Sequence, residues 1–469
     1  MKNNMKKHIK YMGLLLAPLC LSFFSCSSSS NKEVESPYKT VLNEISIIDE
    51  NGNEIKGRVD EVKKQIAFPR VDPESNLTAV EFKAEMSEGA ELDRETYDFS
   101  VEEGDSESQR IIKVVNQTRY REYLATIRLN VPVFGVDFDK AKLYDYSVNS
   151  GKPYEHFSSA ATRASDFDGE HALIVSRFGG VNPHLISLED IKSGNLNPIM
   201  LDTEGISGGI FPISAGKLMQ GRVYIANMAG NGTKIYCWDS PTSKAELIYE
   251  NYSMNPTGAG RYGDSMAMYL DDKGDGFIFL ENNSTNTIAR IKVTNFKDIV
   301  ETDYITPKES TGAAGGQFFS MTKIEDTPYY FYTGFESPLM VVDEGGNLAV
   351  KVSTGTVPQA VSEAHVFEFN EKRYLLAITA CRSGRNMPAE TIYVYDITRG
   401  DDIIEALTIL DTNNYKPVYQ QTLMGSGTTA PGTHCNFAII DDAVYLYGGA
   451  TDAGFMVVEV PKNVLEDDF

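Results

Sequence analysis

Four arginines, Arg163, Arg177, Arg261 and Arg382, are the chemically most pointed residues in a chain whose formal net charge is −23. Each stands at the edge of an apolar segment, three of them beside glycine and aromatic or polar neighbours: RFGG from 177, RYGD from 261 and RSGR from 382. A planar guanidinium offers parallel N–H donors that match a carboxylate, a sulfate or vicinal hydroxyls. Asp264, Asn282, Gln317, Glu363, His365, His434 and Asn436 fall at equivalent edges, with Tyr262 and Phe335 as aromatic surfaces. The set points to polar-ligand recognition by hydrogen bonds and guanidinium forks, with ring stacking in support. A structural role competes at each position. An arginine can pair with Asp166, Asp264 or Glu363 and staple neighbouring strands, a histidine can be a hydrogen-bonded wall residue, and a ring can be core.

Asp264, Glu363 and His365 are also the acid–base candidates for a hydrolase or lyase acting on polysaccharide, because two carboxyl groups must flank one glycosidic bond. No HxH, HExxH or CxxC spacing occurs, so no metal or cofactor is expected. Residues 271–276, DDKGDG, look like a calcium loop, but Lys273 stands where an oxygen ligand is needed. They read as a turn.

The elements that must position these residues repeat along the chain. A short apolar strand, a tight acidic or glycine-containing turn and a second apolar strand recur near 160–177, 209–227, 265–282, 317–335, 365–381 and 436–449. Further strands follow most pairs, such as KIYCW ending at Trp238 and TIYVYD ending at Asp396. Recurring hairpins that cannot bury their faces alone predict a β-propeller. The count is six blades. Seven is the alternative, because residues 138–148 offer an extra strand and the 396–436 gap is long. Residues 455–460 read as an outer strand, with a strand near residue 136 completing that blade. In a four-stranded meander, the loops before each first strand and after each second strand share one face. The candidate residues therefore map to one channel mouth, where loops on a rigid scaffold commonly carry function.

Ahead of the repeats, residues 38–134 alternate apolar and polar positions in short strands separated by turn signals such as Asn51-Gly52, which predicts an immunoglobulin-like β-sandwich. Residues 1–25 carry Lys2, Lys6, Lys7 and Lys10, then an apolar run too short to span a bilayer permanently, and read as an export signal. Cys26 is the expected lipidation site, and 26–37 a serine-rich tether. The propeller is assigned 135–469. Loss of the signal removes four lysines and no acids, which moves the net charge to −27 and disfavours nucleic acid as a partner. Cys237, Cys381 and Cys435 are an odd, widely spaced set and no disulfide framework, so they read as structural thiols.

The run from 114 to 127, VVNQTRYREYLATI, resembles the last hairpin of Ig-like modules that lie next to the membrane in Bacteroidetes lipoproteins. The whole layout is similar to Bacteroidetes lipoproteins that join an Ig-like module to a propeller, a kind found near glycan-uptake systems. That resemblance implies an outer-membrane lipoprotein, on the surface or the periplasmic face, held to the membrane by its lipid alone. It also implies a glycan or other small ligand, with an outer-membrane transporter complex as the alternative partner. The expectation is non-enzymatic ligand binding at the channel mouth, with the polysaccharide-active enzyme and the docking platform as alternatives.

Overall fold

The computed structural model describes residues 37–48, 54–102, 105–148, 150–157, 161–177, 181–255, 259–309, 318–334, 337–381, 389–423, 428 and 432–465. The signal segment, Cys26, Gln317, Phe335 and Arg382 lie outside the described residues. Two compact units divide between Val131 and Pro132. Among the described residues no helix is long and apolar enough to cross a membrane.

In the first unit, the strands are β1 (Leu42–Ile48), β2 (Glu54–Asp60), β3 (Gln65–Ala67), β4 (Val80–Met86), β5 (Glu91–Leu92), β6 (Thr96–Tyr97), β7 (Glu107–Asn116) and β8 (Arg119–Arg128). They join in one sheet, in the order β5-β7-β8-β3-β2-β1-β4-β6. This differs from the sandwich expected from the sequence, which needs two facing sheets. The reason is a parallel pairing of β3 with β8, Gln65 opposite Leu124, which links the two groups of antiparallel strands into one mixed sheet. Alternation along the strands sends Ile45, Ile66, Ile112, Val114, Tyr123 and Ile127 into a single apolar core.

The second unit is a six-bladed β-propeller. Six four-stranded antiparallel sheets follow one another, with inner strands Thr162–Phe167, Phe211–Met219, Ala267–Leu270, Ser320–Lys323, Val361–Phe369 and Thr433–Ile440. The fourth strand of the last blade is β9 (Lys142–Asp145), which precedes all the others in sequence and pairs Leu143 with Val458. The sequence placed this closing strand near residue 136, but Val136 makes only an isolated bridge to Lys462. The segment Gly454–Pro461 is the third strand of its blade, not the outermost. The long 396–436 gap holds no seventh blade. It contains the helix Ile403–Thr412, capped by the Asp402 carboxylate on the Glu405 N–H, and the fourth strand Tyr419–Thr422.

Each blade is apolar on both faces, and the core is accordingly divided into six clusters, one per blade interface. In blade 2, Val223 and Ile225 pack towards blade 1 with Trp238, while Tyr224 and Ala226 pack towards blade 3. Trp238 ends a third strand, is fully buried, and donates its indole N–H to the Asp202 carbonyl at 2.9 Å. Cys237 and Cys435 are buried in these interfaces and Cys381 is half-buried. Hydroxyls stitch the strand starts together: Ser214 to the Gly263 carbonyl at 2.6 Å, Ser265 to Phe319 at 2.8 Å, and Ser362 to Thr433 at 2.8 Å.

The closure strand is testable through Tyr144, whose ring is buried between the last and first blades and whose hydroxyl donates to Glu459 Oε2 at 2.6 Å. Tyr144→Ala is expected to cost on the order of 3 kcal/mol through the lost ring and the cavity it leaves. A urea midpoint unchanged from wild type would show that β9 does not hold the ring closed.

Candidate functional site

Two clusters of charged residues occupy the propeller channel. The first lies where the inner strands begin. Arg163 is the extra residue of a β-bulge in the first inner strand: Thr162 pairs with Ser176 and Ala164 with Val175, which leaves Arg163 without a cross-strand partner. Arg177 follows the second strand of the same blade, and Arg261 and Asp264 precede the inner strand of blade 3. Asp264 is fully buried at its side chain and accepts from Arg261 Nε at 2.7 Å, Arg261 Nη2 at 3.0 Å and Arg177 Nη2 at 3.2 Å. Arg177 Nε also donates to Ser214 Oγ at 3.0 Å, and its guanidinium covers the Phe211 ring at 5.1 Å.

Gly263 makes this turn feasible. Its φ of +85° suits glycine, and a Cβ there would meet the Asn227 carbonyl oxygen at 1.9 Å. Any side chain would displace Asp264 from the arginines.

Arg163 is 7% exposed, and its Nε and Nη2 have no hydrogen-bond partner. Burial, then the Arg177 guanidinium and more weakly Arg261, push its pKa down to about 9 against the pull of Asp264. Burial also lowers Arg177, with Asp264 opposing. Among the described residues three cations thus group about one carboxylate, Asp264.

The second cluster sits deeper, on the inner strands themselves. Lys217 Nζ contacts Glu363 Oε1 at 2.5 Å and Asp166 Oδ1 at 3.8 Å. Glu363 also accepts from His434 Nδ1 at 3.1 Å, and His365 Nε2 lies 3.4 Å from its other oxygen. Asp166 ties three blades together: it accepts from Asn436 Nδ2 at 2.9 Å and from the Leu218 N–H at 2.8 Å. Burial drives the Glu363 carboxyl upward, but Lys217 with the two histidines more than reverses this and holds it well below the usual carboxylate range. The Lys217 ammonium, lowered by burial, is raised overall by Asp166 and Glu363. A cavity of about 530 Å³ runs from these residues to the strand-turn face, past Tyr269, Asp271 and Asp326.

The sequence candidates divide accordingly. Arg163, Arg177, Arg261 and Asp264 come together. Glu363, His365, His434 and Asn436, expected in loops before the strands, lie within strands Val361–Phe369 and Thr433–Ile440 and belong to the deeper cluster. Polar residues inside an apolar strand read as a boundary. Asp264 and Glu363 thus belong to separate ion-pair clusters, which removes the basis for pairing them across one bond. Tyr262 is 2% exposed in the core between blades 2 and 3, and Asn282 is buried with its Oδ1 accepting from the Ser284 N–H. Both are wall residues rather than channel lining. Lys217 was missed, although a lone lysine inside the apolar strand Phe211–Met219 is a visible anomaly. Among the described residues no three His, Cys, Asp or Glu are grouped to hold a metal ion.

A family model, Domain of unknown function (DUF4623), matches residues 29–463. The chain belongs to that family. A DUF4623 family protein from Bacteroides eggerthii DSM 20697 has a crystal structure similar to this one, with a TM-score of 0.79 at 32% identity over 91% of this chain and 99% of that chain. An alpha-L-arabinofuranosidase from Clostridium thermocellum ATCC 27405 matches at 13% identity and a TM-score of 0.32, over 50% of this chain and 89% of that chain. The computationally designed Ika8 protein matches at 11% identity and a TM-score of 0.31, over 78% and 95%. At such scores these two carry no argument about the DUF4623 chain. No curated protein matches it.

The deeper ion pair of this DUF4623 protein predicts a pH signature. Lys217→Met leaves Glu363 buried without its main counter-charge and is expected to cost roughly 3–5 kcal/mol. In wild type the depressed Glu363 value adds stability that is lost only as pH falls through it. In the variant only His365 and His434 still oppose the upward push of burial, so the folded-state value is expected to lie above the unfolded one and stability to fall as pH rises. Urea melts should therefore show a larger deficit at about pH 8 than at about pH 5. An equal deficit at both would mean that Glu363 is not the group left unpaired.

Proposed function

We propose that this protein is a non-enzymatic binding module that captures a glycan, or another polar small ligand, at the channel mouth where Arg163, Arg177 and Arg261 converge. The observation that carries the reading is the surplus of guanidinium over carboxylate among the described residues of that mouth, three arginines grouped about Asp264, in a chain of net charge −23. A purely structural cluster would balance its charges. Fork-shaped donors on a rigid scaffold suit ligand oxygens, and Arg261 keeps about a quarter of its side chain exposed to meet them.

The same geometry disfavours Asp264 and Glu363 as the carboxyl pair of a polysaccharide-active enzyme. A general acid needs a carboxyl that can hold a proton near neutral pH. Both Asp264 oxygens are committed to arginine N–H groups, and Glu363 is held in its charged form by Lys217. Glu363 is therefore a poor proton donor near neutral pH.

The cellular setting belongs to the same proposal. Lipidation at Cys26 would tether the propeller to the outer membrane, on the surface or the periplasmic face, beside a glycan-uptake system. A transporter of that system is the partner if the propeller serves as a docking platform instead.

Affinity electrophoresis against acidic and neutral polysaccharides, with product analysis of the same mixtures, tests the reading. Retardation without product is expected, and Arg261→Ala should weaken it by roughly tenfold or more, the scale of a lost charged hydrogen bond. Released product would transfer the assignment to the enzyme. No retardation by any glycan would favour the docking role.

A further inference from the structure

We infer that Arg163 is an oxyanion subsite, in which the Nε–Nη2 edge of its guanidinium receives a carboxylate or sulfate of the ligand through two parallel hydrogen bonds. The inference rests on the binding reading above and adds the charge of the group that is bound.

The arginines of the mouth differ in what they hold. Arg261 uses its Nε and Nη2 together on the two oxygens of Asp264, and Arg177 divides its donors between Asp264 and Ser214. Arg163 has the same edge, buried and without a hydrogen-bond partner. Asp264 does not fill it: its oxygens accept from Arg177 and Arg261 at 2.7–3.2 Å, and neither buried donor of Arg163 has a hydrogen-bond partner. The two parallel donors of this edge match two oxygens of one planar or tetrahedral oxyanion.

A structural explanation of Arg163 is weak on energetic grounds. Burying a cation without a hydrogen-bonded counter-ion is strongly unfavourable, and a neutral side chain of similar volume would be better tolerated. Lys217, buried to the same degree in the same channel, shows how a structural cation is treated: it has two carboxylates within 4 Å. The β-bulge that aims Arg163 reinforces the contrast. An extra residue disrupts the ladder locally, and here it delivers an unpaired charge. The depressed Arg163 value, caused first by burial and then by Arg177, describes a place short of negative charge. An arriving anion would supply it, in a setting where water competes little.

The test is a thermal-shift titration of the full-length protein with sodium glucuronate, sodium sulfate and neutral glucose, at ionic strength fixed with sodium chloride. Wild type should gain melting temperature with glucuronate or sulfate and not with glucose. Arg163→Met should melt at or above wild type without anion and lose the anion response. Arg163→Lys keeps the charge but not the edge, and should bind the same anion roughly tenfold more weakly or worse. Arg163→Met melting well below wild type with the response intact would overturn the subsite, as would a wild type indifferent to both anions. If Arg163→Met does not fold, Arg163→Lys decides, and wild-type affinity in it overturns the subsite. The two readings fail separately. Polysaccharide binding retained in Arg163→Met, with no anion response in wild type, removes the subsite and keeps the binding module. An anion response lost in Arg163→Met, with no polysaccharide bound, keeps the subsite and removes the glycan.

Discussion

A sheet that is apolar on both faces cannot be stable alone in water, and every blade of this propeller is such a sheet. Val223, Tyr224, Ile225 and Ala226 are consecutive and all fully buried, because alternation delivers them in turn to the interfaces on either side. Burial of each blade therefore depends on the presence of two neighbours, and the ring has to close. Closure falls to Lys142–Asp145, a strand drawn from the beginning of the unit to finish its last blade. The apolar interfaces leave polar groups only two places, the outer rim and the channel.

Inside the channel, desolvation decides which charges are tolerated. Lys217, Glu363, Asp166 and His434 form a connected set in which each charge has an opposite or hydrogen-bonding neighbour. Such a network neutralises the penalty of burial without adding much net stability, and its main effect is to lock four blades in one arrangement. The mouth cluster is built from the same residue types with the opposite outcome. It keeps a guanidinium edge unsatisfied, which a folded protein retains at a cost. The difference between balanced and unbalanced charge is what distinguishes the two clusters in this channel.

The blade rhythm was legible because it depends on composition alone: apolar strands punctuated by turns such as Asp271 to Gly276. The closing strand was legible only as a requirement, since Lys142–Asp145 is short and carries one buried residue, Tyr144. The mixed sheet of the first unit was not legible, because the β3–β8 pairing is a long-range parallel contact with no local signature. The helix Ile403–Thr412 was hidden for a related reason. Its buried face, Ile403, Ala406, Leu407 and Leu410, is a short apolar run that strand and helix readings share. At the site, arginines at segment edges led to the mouth cluster. Glu363 and His434 were misplaced into loops, because an ionised residue within an inner strand is stable only with partners from other blades. Those partners are not visible one segment at a time.

Alternation also explains why the mouth residues sit where they do. On a regular inner strand each side chain is committed to one apolar interface or the other. A polar residue near the axis then needs either a partner, as Lys217 has, or a break in the pattern. Three inner strands contain such a break near their starts: the register shifts between Thr162 and Ala164, between Phe211 and Ala215, and between Val361 and Glu363. The residues released there include Arg163, Ser214 and Ser362. Two of them use their hydroxyls to fix the neighbouring strand, Ser214 on Gly263 and Ser362 on Thr433. The third, Arg163, fixes nothing through its Nε–Nη2 edge. The bulge thus frees a position from packing, and what the chain places in it is either a strut or, at Arg163, a donor edge without a hydrogen-bond partner. Hydroxyl struts thus account for two of the bulges, whereas the third exposes no such bond: the buried Nε and Nη2 of Arg163 have no hydrogen-bond partner.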